Sequence, residues 1–173
     1  MDDDHDPNIP KPSGFVYITG RLKELIITSG GENVPPVSIE DQFKLAIPAL
    51  SNCMVIGDKR KFLTILLCLQ VEIDDDGTAT NKLTGRALEA CKEMGSTAKT
   101  TDEVKRDPLW KEYLDMGMKA VNDAATSSAQ RVGKWALLST DFSEKGGELT
   151  PTLKLKRFAV SEIHSETIEA MYV

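Results

Sequence analysis

The sequence predicts an α+β domain: a small mixed β-sheet with flanking helices, preceded by a short β-hairpin. Three observations carry that prediction. Residues 53–57 and 63–73 are strand-like apolar runs on either side of the charged turn Asp58-Lys59-Arg60-Lys61, as in a pair of adjacent strands. Ile39, Phe43 and Ile47 recur at four-residue spacing between prolines, as on one face of a helix. Residues 83–125 then read as helical before strand character returns at residues 135–138. A chain of 173 residues with 40% hydrophobic content fits one domain with a modest core.

Taken in order, residues 1–13 are Asp-rich and Pro-containing and read as a flexible leader, in which His5 is a solvated tail residue. The domain proper is expected over 14–173. Residues 15–19 and 24–28 flank the polar turn Gly20-Arg21, which predicts the hairpin. Ser29-Gly30-Gly31 follows, where glycine tolerates positive φ and lets another molecule approach the backbone. An ordinary strand-to-helix connection is the alternative reading of the same pair. Pro36 suits a first helical turn, and Pro48 ends the helix.

Farther along, residues 83–94 carry Leu88, Cys91 and Met94 with Gly95 as a stop, and Thr100 and Glu103 have capping-box spacing. Asp107-Pro108 opens a longer helix in which Leu109, Tyr113, Val121 and Ala124 or Ala125 share a face, with Trp110 and Tyr113 in a core or interface. This helical elaboration, about 83–130, shows no evident chemistry and is expected to pack on the sheet. Residues 143–147 read as flexible. Leu153 and Leu155 alternate with Lys154 and Lys156, which taken alone reads as an edge strand with its apolar side inward and two solvated ammonium groups outside.

Composition narrows the function classes. With 27 acidic against 21 basic residues and a net charge of −6, no general attraction to nucleic acid or an anionic membrane is expected. No run of about twenty apolar residues is present, so no transmembrane segment is expected, and the Asp-rich start is unlike a secretory signal. Cys53, Cys68 and Cys91 form an odd set without a close pair, which points to reduced, buried thiols in a cytosolic setting and to no metal site. Residues 72–77 imitate the opening of a calcium loop. Position twelve of that register is Leu83 instead of a bidentate Glu, and a strand precedes it, so a turn is expected.

Two motifs carry a resemblance. Residues 20–40, GRLKELIITSGGENVPPVSIE, resemble the segment joining the two domains of adenylate-forming acyl-CoA synthetases, in the wording of the bubblegum-type long-chain acyl-CoA synthetases. Residues 146–157, GGELTPTLKLKR, resemble the C-terminal lysine motif of the same enzymes, in the same order along the chain. Similarity continues through SNCMVIGD (51–58) and KWALL (134–138), so it covers nearly everything from about Gly14 onward. It implies the mobile C-terminal domain of an adenylate-forming enzyme. Relatives also carry a much larger N-terminal domain holding the phosphate loop and the fatty-acid tunnel, and no glycine-rich phosphate motif precedes Gly20 here.

The resemblance implies a long-chain fatty-acid:CoA ligase that forms an acyl-adenylate and then acyl-CoA. ATP and coenzyme A are the implied co-substrates, with Mg2+ accompanying ATP and held mainly by the large domain. The implied partners are the fatty acid and the chain's own N-terminal domain, and the implied location is cytoplasmic, peripheral to membranes in the intact enzyme. Matching Lys-Leu-Lys-Arg to the family pattern makes Lys154 the counterpart of the catalytic lysine, with Lys156 as the fallback. Thr152-Leu153 stands where many relatives carry Ser-Gly. By the same carry-over, Lys23 is the hinge residue, Arg21 contacts the nucleotide, and Ser29, Gly30 and Gly31 line the passage for coenzyme A. Glu32 stands where many relatives place a basic residue and takes no role. Two alternatives stay open: Arg21 as a solvated turn residue, and the basic turn 58–61 as a solvated tip or a contact for the phosphates of coenzyme A. The competing function is a non-catalytic binding or regulatory module that docks on an acyl-CoA synthetase or another partner. Retention of both Lys154 and the glycine loop favours the enzyme domain.

Overall fold

The computed structural model describes residues 25–173. Arg21, Lys23 and the expected strand at 15–19 lie outside the described residues. The hairpin within them is β1, Ile26–Ile27, against β2, Asn33–Val34, in antiparallel register. Ser29-Gly30-Gly31 is therefore the tip of a hairpin rather than a direct strand-to-helix link. After β2 comes α1, Pro36–Ala46, with proline in its first turn and a stop at Pro48 as expected.

β3, Leu50–Ile56, pairs antiparallel with β4, Leu63–Leu69, and β7, Val132–Leu137, pairs parallel with the other edge of β4. The sheet is mixed, as predicted. β4 is buried at every position, and a strand covered on both faces reads as a continuous apolar run rather than an alternating one. Ile65, Leu67 and Leu69 join one core, with Phe43 and Ile47 around α1. Leu66 and Cys68 join a second core with Phe142, Leu149, Val160 and Ile168.

Beyond Gln70 the expected long strand breaks, and β5, Val71–Ile73, forms its own hairpin with β6, Ala79–Leu83. The acidic run makes the turn of that hairpin: Gly77 has φ +83°, and the Asp76 carboxylate accepts the Thr78 N–H at 3.0 Å and pairs with Lys145. β6 escapes the hydrophobic pattern because Thr80, Asn81 and Lys82 are polar. α2, Gly85–Met94, ends at left-handed Gly95, and α3, Thr101–Val104, has the full capping box between Thr100 and Glu103.

Helix faces differ from expectation. In α2 the buried residues are Ala87, Ala90 and Cys91, while Leu88 and Met94 are only partly buried. In α4, Pro108–Asp123, the buried stripe is Trp110, Leu114, Gly117 and Val121, and Leu109 is exposed. Gly117 explains the shift: a Cβ there would lie 2.2 Å from Ile47 Cγ1, so the missing side chain is what lets α4 approach the end of α1. Trp135 Nε1–H donates to Asp115 Oδ1 at 2.8 Å and ties the helix to β7. Two helices that the residue spacing does not predict, α5 (Arg157–Ile163) and α6 (Ser165–Ala170), cover the second core; neither is long enough to form without tertiary support. No helix among the described residues is long and apolar enough to cross a membrane.

Gly117→Ala tests the α1–α4 contact. Alanine gains about 1 kcal/mol of helix propensity, but Ile47 is fully buried and has nowhere to retreat, and overpacking costs about 1–3 kcal/mol. The expected result is a net destabilisation of about 1 kcal/mol in urea unfolding; a stabilised variant refutes the close approach.

Candidate functional site

The lysine motif folds as a short loop pinned at both ends. At its start, Glu148 is buried at 7% exposure; its carboxylate accepts the Ser143 N–H at 3.2 Å and meets His164 Nε2 at 3.2 Å. The Glu148 carbonyl accepts the Lys156 N–H at 2.8 Å, closing the loop across its base. At its end, Arg157 donates from Nη1 and Nη2 to both carboxylate oxygens of Glu40 at 2.7 Å each. Glu40, only 6% exposed, also accepts the Val55 N–H at 2.8 Å. One carboxylate thus joins α1, β3 and the start of α5.

Between these anchors the backbone turns on Thr150. Its N–H donates to the Lys154 carbonyl at 2.8 Å, its carbonyl accepts the Leu153 N–H at 2.8 Å, and its Oγ1 accepts the Lys154 N–H at 3.0 Å. The expected edge strand is absent, and only a bridge between Leu149 and Leu155 remains. Pro151 cannot donate to a ladder, and Leu153 takes φ +59° and is 71% exposed instead of pointing inward. A left-handed backbone at a leucine is strained, since its Cβ crowds the following carbonyl, and glycine would adopt it freely. The stretch at 143–147, expected to be flexible, is hydrogen-bonded through Ser143 and Glu148.

Lys154 is exposed at a cleft of about 330 Å³ that it shares with Val37, Asp41 and Lys44 of α1 and with Arg157. Lys156 is exposed as the N-cap of α5. The glycine loop is exposed as well: Gly31 has φ +80°, and a Cβ on it would meet no atom within 4 Å. The loop is stitched to the basic turn, with the Ser29 N–H donating to the Arg60 carbonyl at 2.9 Å and the Lys59 N–H to the Ile27 carbonyl at 2.7 Å. The Arg60 guanidinium itself is committed to Glu169 and to the Tyr172 ring, 4.6 Å away. What Lys154 and the glycine loop share is α1, which begins just after the glycine loop and lines the cleft of the lysine.

Sequence reasoning passed over Glu40, Arg157, Glu148 and His164. Glu40 left a signal: it sits beside Ile39 and three residues before Phe43 on the inward face of α1, where a carboxylate requires a cationic partner. Nothing comparable marks Glu148 or His164.

The profile of the AMP-binding enzyme C-terminal domain family matches residues 23–110, and the chain belongs to that family. Within it, the chain is 49% identical over 162 residues to the Homo sapiens protein named "Long-chain-fatty-acid--CoA ligase ACSBG1", covering 92% of this chain and 22% of that protein. It is 45% identical over 171 residues to ACSBG2 of Xenopus laevis, covering 97% of this chain and 22% of that ligase. The resemblance to bubblegum-type long-chain acyl-CoA synthetases therefore holds over most of the chain, which spans about a fifth of these relatives' length. Among solved structures, the adenylation domain of a carboxylate reductase from Mycobacterium chelonae superposes with a TM-score of 0.61 at 21% identity, over 88% of this chain and 20% of that one. The adenylation domain of a carboxylic acid reductase from Segniliparus rugosus gives 0.62 at 19% identity, over 94% and 22%. These two likenesses establish the fold.

All three cysteines are unpaired and buried. Burial, and next the Glu40 carboxylate, push the Cys53 thiol up to about 12, and burial pushes Cys68 well above the ordinary thiol range. A thiol held protonated in the folded state contributes stability that is complete below its unfolded pKa of about 8.5 and is lost as pH rises toward the folded value, by about 1.4 kcal/mol per pH unit. Urea midpoints should therefore be insensitive to these thiols at pH 7–8 and fall above about pH 9. At about pH 8, below the unfolded thiol pKa, iodoacetamide should modify Cys53 and Cys68 only in denaturant, as read by mass spectrometry of digests; rapid labelling of the native chain contradicts the assignment.

Proposed function

We propose that this chain is the mobile C-terminal domain of a long-chain fatty-acid:CoA ligase, supplying Lys154 for acyl-adenylate formation and the Ser29-Gly30-Gly31 loop for the passage of coenzyme A. The observation that carries the reading is the shape of the lysine loop: pinned at Glu148 and Arg157, turned on Thr150, with Lys154 exposed at its tip. Such a loop presents an ammonium group at the mouth of a shallow, exposed cleft, where it can complete a site on another domain.

In the first step a fatty-acid carboxylate attacks the α-phosphorus of ATP and pyrophosphate leaves; in the second, the thiol of coenzyme A attacks the acyl carbonyl and AMP leaves. Lys154 acts in the first. A cation held between two anionic reactants lowers their repulsion and stabilises the charge that builds on the oxygens in the transition state. The glycine loop acts in the second, its open backbone giving the pantetheine arm room. Rotation of this domain about Lys23 exchanges the two faces, and Arg21 contacts the nucleotide. ATP, coenzyme A and fatty acid all require the large domain, because a lysine and a loop cannot hold three substrates in attack geometry.

In the intact ligase, Lys154→Ala should lower acyl-adenylate formation by about 100-fold or more, measured as single-turnover release of pyrophosphate, with Lys156→Ala near wild type. The reverse ranking moves the catalytic role to Lys156. Lys23→Pro should slow the passage from adenylate to thioester more than it lowers the melting temperature, read by following the two half-reactions separately. Equal loss in both half-reactions rejects the hinge.

A further inference from the structure

We infer that Glu40 and Arg157 are positioning residues for Lys154, and that their bidentate pair makes the lysine loop and the glycine-loop helix one rigid body. The inference rests on the ligase reading above and extends it to the residues that set the lysine's aim. Arg157 lies three residues beyond Lys154 and opens α5, so its guanidinium fixes the outgoing end of the loop. Its partner cannot drift, because Glu40 Oε1 also holds the Val55 N–H of β3 at 2.8 Å. α1, which carries Glu40, begins three residues after Asn33 opens β2 and directly follows the glycine hairpin. The Arg157–Glu40 pair therefore links the backbone that carries Lys154 to the helix that follows the glycine hairpin.

Stability alone does not account for the pair. Replacing a buried ion pair with apolar residues of similar volume is often neutral or favourable, whereas the two-pronged geometry selects one arrangement. The anchor at the other end of the loop is weaker in this respect, since the attraction of His164 for Glu148 depends on a proton. Arg157 stays charged throughout the working pH range. A lysine at 157 keeps the charge and loses the fork, so charge without geometry should not suffice.

The test uses the full-length ligase with Glu40→Gln and Arg157→Lys, each alone and in a Lys154→Ala background. Both substitutions keep side-chain bulk, and the amide introduced by Glu40→Gln retains an acceptor for the Val55 N–H. Acyl-adenylate formation from fatty acid and ATP, thioester formation from supplied acyl-adenylate, and the melting temperature are measured for each. A misplacement of about 1 Å costs roughly 100-fold in rate. The expected result is a loss of roughly 30–100-fold in adenylate formation, thioester formation within about threefold of wild type, and no further loss once Lys154 is alanine. Equal losses in both half-reactions, or losses that persist undiminished in the Lys154→Ala background, show a merely structural role and overturn the inference. If Lys154→Ala itself leaves adenylation intact, the ligase assignment of the lysine fails first, a result distinct from additivity.

Discussion

A single carboxylate organises the junction between α1, β3 and α5. Glu40 receives two guanidinium hydrogens from Arg157 and the amide of Val55, and so gathers a helix, a strand and the lysine loop at one point. Losing one partner of a fully buried pair typically costs about 3–5 kcal/mol, and the half-buried Arg157 makes the cost smaller here, while exchanging both for hydrocarbon costs little. The pair therefore contributes uniqueness of arrangement more than net stability. It also explains the seating of Glu40 on an apolar helix face, where a lone carboxylate is forbidden by its desolvation cost.

The sheet supplies the platform on which that point is fixed. β4 is buried on both faces, with α1 and α4 against one side and α5 and α6 against the other. The lysine loop belongs to the second side, since Leu149 and Leu155 pack into that core. The helical elaboration belongs to the first, where Gly117 seats it on Ile47 and Asp115 fastens it to Trp135. The helices from α1 to α4 thus lie on one side of the sheet, and the segment after β7 covers the other. The Glu40–Arg157 contact joins α1, on the first side, to the start of α5, on the second.

What was legible in the sequence follows the range of the forces involved. α1, the β3–β4 pair and the capping box at Thr100 announce themselves because spacing, prolines and cap residues act within a few positions. The glycine loop and the lysine motif were legible through resemblance. The misread parts all depend on distant partners. In α4 Trp110 is buried as expected, but Leu114 and Gly117 complete the buried stripe instead of Leu109, because a glycine that must meet Ile47 carries no apolar mark in the pattern. The alternating leucines suggested a strand, but Leu153 is held in a left-handed turn by anchors at Glu148 and Arg157. Glu40 and Arg157 stand 117 positions apart, so their pairing exists only in three dimensions.

The parallel register of β4 and β7 has a consequence for how the chain acquires this shape. β3 and β4 are neighbours in sequence and can zip early, but β7 joins only after the intervening hairpin and helices have been made, and such distant pairings close slowly. α5 and α6 come later still, and until they arrive Leu66 and Cys68 have no roof. During synthesis the lysine loop is consequently seated late, over an apolar sheet face that stays open to solvent until α5 and α6 fold onto it.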